Sequence, residues 1–120
     1  MSRLKFILAS ALLAVPTLLA QAPIDFELMT WPEVKQALAD GKTTALIMNG
    51  GIEQRGPQGV NGAHSLIVHA LGIEIAQKLG NAIAAPVIPF SPNRANPALP
   101  GTIGISTAVF ASSTKKLPNR

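Results

Sequence analysis

One order of segments constrains this chain more than any other feature. A short apolar run is followed by a glycine-rich loop, a long amphipathic stretch and a second short apolar run. Thr43 to Met48 (TTALIM) is β-branched and apolar, the pattern of a buried strand. Asn49 to Gly62 holds five glycines and a proline, which makes a long, special loop. From Ala63 or His64 to Leu79, the residues Leu66, Ile67, Ala70, Leu71, Ile75 and Leu79 predict the apolar face of a helix, and Gly80 stops it. Ala82 to Ile88 (AIAAPVI) reads as a second strand, with Pro86 drawing it toward a sheet edge. Strand, helix, strand in that order requires a parallel pair with a right-handed crossover. The expected class is α/β, a parallel sheet with flanking helices.

The flanks extend this plan. Thr30-Trp31-Pro32-Glu33 is a helix start, with Thr30 as cap, Pro32 in the first turn and Glu33 placed to close a capping box. Val34, Ala37 and Leu38 follow the helical period, and Asp40-Gly41 ends it. Phe90 to Pro100, with Pro92, Pro97 and Pro100, predicts an irregular loop. Gly101 to Ile105 is a third short strand or extended segment. Ser106 can cap a further helix, but the pattern dissolves at Ser112-Ser113-Thr114. A parallel sheet this small leaves open edges, so residues 23–120 are expected to be a partial, truncated domain that self-associates, as a homo-oligomer or by aggregation.

Residues 1–22 stand apart from the fold. Arg3 and Lys5 form a positive start, and Phe6 to Leu19 is apolar except for Ser10, Pro16 and Thr17. Ala20-Gln21-Ala22 then matches the small-x-small cleavage pattern of a secretory signal peptide. The apolar stretch is shorter than the ~20 residues that span a bilayer. The expected product starts at Pro23, is secreted or periplasmic, and has no stable membrane span after cleavage. Removing residues 1–22 takes Arg3 and Lys5, half of the +4 net charge.

Composition excludes several functions. With no cysteine there is no disulfide framework, zinc finger, thiol nucleophile or iron–sulfur site. Lys115-Lys116 is the only adjacent basic pair, aromatics are 4% and tyrosine is absent, so no nucleic-acid surface is expected. No G-x-S-x-G elbow occurs, which removes that class of serine hydrolase.

Chemistry is expected in the loop after the first strand, because open α/β sheets bind ligands beyond the carboxyl ends of their strands. Gly51 and Gly56 have the first spacing of a phosphate-binding loop. Pro57-Gln58 stands where the lysine and hydroxyl belong, so phosphate has neither partner. The dinucleotide pattern G-x-G-x-x-G does not occur. Glu53 remains, a carboxylate placed to point into a cleft or into solvent, with His64 at the start of the long helix. His69 lies five positions after His64, about 140° around a helix at ~100° per residue, so the two do not form a zinc-binding pair on one face. His69 reads as a partly exposed helix residue. Glu74 and Lys78, at i, i+4, are expected to form a weak surface pair.

Four pieces carry a family resemblance: E-L-M-T-W-P-E-V, A-L-I-M-N-G-G-I-E-Q-R-G-P, H-S-L-I-V-H-A-L and L-P-G-T-I-G-I-S. In this order and spacing, from Glu27 to Ser106, the chain resembles the first half of the creatininase (creatinine amidohydrolase) family. The resemblance implies an α/β metal-dependent amidohydrolase with a two-metal site of zinc or manganese. Such a site cleaves C–N bonds in linear or cyclic amides, so the implied partner is a small-molecule amide. The family's E-Q-H-G-P supplies a metal-binding Glu and His. Here Glu53 matches the Glu, but Arg55 stands at the His, and a guanidinium cannot ligate a metal. His64 falls where the family has a ligating Asp. A further His and Glu of the family fall beyond Arg120. The implied metal ligands of this chain are therefore Glu53 and His64, fewer than the three protein ligands usual for catalytic zinc. The two are expected to approach one another, to bind zinc or manganese weakly, and to support no appreciable turnover. Arg55 is expected to pair with Glu53 in the vacated position. A creatininase-type amidohydrolase and a truncated, non-catalytic family fragment are the two functional expectations.

Overall fold

The computed structural model of the chain describes residues 23–115. The expected signal peptide over residues 1–22 lies outside the described residues. A 3-10 turn at Phe26–Leu28 opens the described part. Helix α1 covers Trp31–Ala39. Its start is built as expected: the Glu33 carboxylate accepts from the Thr30 backbone N–H at 2.7 Å and from the Thr30 hydroxyl at 2.6 Å. It ends at Gly41, whose φ of 87° suits only glycine at low cost.

Strand β1 spans Thr44–Leu46 and strand β2 spans Ala82–Ala84. They pair in parallel, with Thr44 opposite Ala82, Ala45 opposite Ile83 and Leu46 opposite Ala84. Both strands are shorter than their apolar runs. The pairing does not stop at Ala84: Ala85 N–H donates to Leu46 O, Ile88 N–H to Met48 O, and Gly50 N–H to Ile88 O, each at 2.9 Å. Pro86 lacks the N–H that a continuous ladder needs, so the regular strand breaks there while the two chains stay side by side. On the other side of β2, Ala84 N–H donates to Ile24 O at 2.9 Å, and Asp25 pairs with Ala84 in parallel.

Helix α2 runs Ala63–Leu79 and closes at Gly80, φ 78°. It packs on β2 with a face other than the expected one. Gly72 and Ala76 are its buried residues, and Ala76, Ala82 and Ala84 form the core with Ile24, Leu46 and Ile73 against them. Leu66 is 65% exposed and Leu71 46%, and Ile67, Ile75 and Leu79 are exposed as well. The reason is distance. Gly72 faces the sheet where an added Cβ would stand in ordinary contact with the Ala84 Cβ, at 3.8 Å, and nearer to Met48 Cγ, at 3.2 Å. Small residues suit that approach, and Ser65, Gly72 and Ala76 supply them on one stripe. The large side chains are left on the flanks of the helix. Glu74 and Lys78 are not joined among the ion pairs of the described residues; an exposed pair gains little over water.

Residues 101–105 are extended rather than a full strand. Ile103 pairs antiparallel with Ile52, and Gly104 pairs parallel with Ser91. Helix α3 then covers Thr107–Lys115, with Ser106 Oγ accepting from Val109 N–H at 3.3 Å. The helix continues through Ser112-Ser113-Thr114, where the apolar pattern is lost. Ser112 donates to Ala108 O and Ser113 to Phe110 O, each at 2.8 Å, so these hydroxyls fold back on their own helix. The class is α/β, a two-strand parallel sheet with flanking helices. Among the described residues, no helix is long and apolar enough to cross a membrane.

Candidate functional site

The loop after β1 is held at both ends. Glu53 N–H donates to Asn61 O at 2.9 Å, and Arg55 pairs antiparallel with Gly59, so residues 53–61 form a small closed turn. Gly56, φ 72°, reverses the chain inside it. Behind it, Gln54 N–H donates to Thr102 Oγ1 at 3.1 Å and Ile103 N–H to Ile52 O at 3.0 Å. Ser65, in the first turn of α2, is tied to Gly51 by a 3.3 Å bond from the Gly51 N–H to its Oγ. The turn therefore stands directly over the start of α2.

This arrangement brings Glu53 and His64 together. Glu53 Oε2 lies 3.3 Å from His64 Nδ1, with both side chains partly exposed. Arg55 Nη1 lies 2.9 Å from His64 Nε2. Arg55 thus pairs with His64, not with Glu53 as expected from sequence; the tight turn carries its side chain across to the helix. A guanidinium has only donors, so Nε2 must accept, and the ring proton sits on Nδ1, where it faces the Glu53 carboxylate. Both ring nitrogens are then engaged. Histidine ligates a metal through a ring lone pair, and the free lone pair here is covered by a permanent cation. The residues at this position do not fit a metal ion in this arrangement.

A second group lies five residues further along α2. His69 Nε2 stands 2.9 Å from Asp25 Oδ2 and 3.7 Å from Glu27 Oε2. The potential ligand atoms of Asp25, Glu27 and His69 all fall within 4.8 Å of one another. Asp25 is held in place by its pairing with β2, and its Oδ1 accepts from Glu27 N–H at 3.2 Å. His69 is half-buried, as expected, but its partners were not legible. They lie more than forty positions away, on the 3-10 turn. The only local signal is the acid-x-acid spacing of Asp25 and Glu27, which by itself says nothing of His69.

Comparison with known proteins comes to the same fold. The creatininase family, described as creatinine amidohydrolase, matches residues 27–117. A crystal structure of creatinine amidohydrolase (creatininase) is similar to the chain with TM-score 0.68 at 19% identity, covering 78% of this chain and 38% of that one. A mutant creatininase complexed with creatine is similar with TM-score 0.67 at 19% identity, and a mutant creatininase of Zn–Zn type with TM-score 0.65 at 17% identity. Both are covered to the same extent, 78% of this chain and 38% of theirs. The chain thus spans well under half the length of these structures. None of the curated proteins matches it in sequence.

Proposed function

Because the chain belongs to the creatininase family, we propose that it represents the Glu53–His64 corner of a metal-dependent amidohydrolase site acting on C–N bonds of small linear or cyclic amides. The solved relative that carries creatine supports a small, nitrogen-rich molecule as the ligand class. In this chain the corner is closed: Arg55 occupies His64 at 2.9 Å, where the family resemblance places a metal-binding histidine instead of an arginine. That contact carries the reading. It makes the polypeptide by itself non-catalytic, with neither zinc nor manganese held at Glu53 and His64. The basic, apolar leader and Ala20-Gln21-Ala22 support export of the product to a secreted or periplasmic location.

Calorimetric titration with zinc tests this on the chain and its Arg55→His variant. The variant should gain one equivalent of zinc over the parent, and a second change, His64→Ala, should remove that gain. The parent should not hydrolyse creatinine or other small amides. Zinc binding by the parent that His64→Ala abolishes would show that Arg55 does not close the position. Equal stoichiometry in parent and variant would refute the equivalence of Arg55 with a ligand position.

A further inference from the structure

We propose that Asp25, Glu27 and His69 form a zinc site distinct from the Glu53–His64 corner. Three donors converge there from two elements, the 3-10 turn and α2. Zinc at ~2.0–2.2 Å from tetrahedral ligands sets those ligands about 3.4 Å apart. The His69 Nε2 distances to Asp25 Oδ2 and Glu27 Oε2, 2.9 and 3.7 Å, bracket that value. Two of the three ligand separations thus lie within about half an ångström of that spacing, and all three are at most 4.8 Å, so side-chain rotation brings the donors onto one ion.

The donor chemistry selects the ion. One imidazole and two carboxylates suit zinc, whereas calcium and magnesium prefer all-oxygen shells with more ligands. Each partner facing Nε2 is an anion, so a divalent cation that replaces the ring proton meets two opposite charges. The site is also partly preorganised. Asp25 is the least exposed of the three, at 13%, and the Glu27 N–H on its Oδ1 leaves Oδ2 turned toward His69. Three protein ligands leave a fourth position open. A cleft of about 310 Å³, lined by Glu27, Ser65, Leu66, His69, Val87 and Pro89, lies beside it. Water or a small ligand can reach the ion from that cleft.

The experiment is zinc titration of the full, chelator-stripped chain against a competing chromophoric chelator, with cobalt(II) absorption reporting ligand geometry. The expected result is one zinc per chain. His69→Gln and Glu27→Gln should each weaken binding roughly tenfold or more, since even loss of an outer-shell partner costs 10–100-fold. His64→Ala should leave binding unchanged, which separates this site from the corner treated above. Glu27 is half exposed, so Glu27→Gln retains the fold and decides the matter if His69→Gln perturbs the circular dichroism spectrum. Absence of stoichiometric zinc, or unchanged binding in Glu27→Gln, would overturn the proposal and leave a plain ion pair between His69 and Asp25. So would a loss of binding that follows His64 rather than His69.

Discussion

Gly50 lies against the first turn of helix α2 and Gly72 within its buried face, yet alanine at the two positions should act with opposite sign. Neither has a positive φ, so space alone distinguishes them. A Cβ on Gly50 would fall 2.7 Å from the Ser65 Cα and 3.0 Å from the Ser65 Cβ. Ordinary contact begins at 3.4 Å; the Ser65 Oγ is nearer still and can rotate away, but the Ser65 Cα is backbone and cannot. The first turn of α2 must therefore retreat by several tenths of an ångström to about 1 Å, at a cost of roughly 1–3 kcal/mol, as for other overpacked sites. The retreat stretches the Gly51–Ser65 bond and draws His64 away from Glu53. At Gly72 the nearest atom is Met48 Cγ, at 3.2 Å, the middle of a flexible side chain. Met48 can turn aside, and replacing glycine inside a helix gains up to about 1 kcal/mol of propensity. Gly72→Ala should thus be neutral or stabilising by about 0.5 kcal/mol after Met48 has moved.

Urea unfolding followed by far-UV circular dichroism measures both variants under one set of conditions, and the His64 ring resonances report the second effect of Gly50→Ala. A Gly50→Ala midpoint within about 0.5 kcal/mol of the parent would refute the close approach of α2 to the loop. A greater loss at Gly72 than at Gly50 would invert the assignment of which contact is rigid.

Glu33 should titrate below its ordinary value of 4.5, because the Thr30 hydroxyl and then the Thr30 backbone N–H bond its ionised form. Its folded pKa is depressed, so its stabilisation of α1 is present above the unfolded value and lost as pH falls through the folded one. A carboxyl NMR titration should show Thr30→Ala moving the midpoint up toward 4.5, and an unshifted midpoint in the parent would contradict the capping bond. For export, N-terminal sequencing of the released product should read from Pro23, and recovery of intact Met1 in a membrane fraction would refute cleavage.

The strand–loop–helix–strand order was legible because short-range signals carry it: β-branched runs, a dense glycine loop and a glycine stop. The orientation of α2 was not. Its hydrophobic period marks Leu66, Ile67 and Leu71 as the inward face, whereas a close approach to alanines 82 and 84 favours Gly72 and Ala76. Periodicity measures apolarity, and apolarity does not report how near a neighbour stands. At the site, Glu53 and His64 were legible as neighbours, since one ends the strand's loop and the other starts the helix. Arg55 was legible as a misfit but not as the partner of His64, because the turn at Gly56 sets its direction. The Asp25–His69 contact had no local signal, since it depends on residues 24–25 pairing beside β2.

The two histidines of α2 show what decides whether an imidazole can take a metal in this fold. Both are partly exposed, both lie on one helix, and both have a carboxylate within 3.3 Å. They differ in the second charged group beside the ring, which at His64 faces the other nitrogen and at His69 the same Nε2. At His64 it is Arg55, a cation at every accessible pH, so a divalent ion entering there meets repulsion and must first displace a hydrogen bond. At His69 it is Glu27, a second anion, so the same ion is attracted and displaces only a proton. Two unit charges at 4 Å interact by about 1 kcal/mol in water and about 4 kcal/mol at a protein-like surface. Exchanging an arginine for a glutamate beside the ring reverses the sign of that contribution. In this chain the charge beside each ring favours metal at His69 and disfavours it at His64, the position to which the sequence resemblance alone points as a ligand.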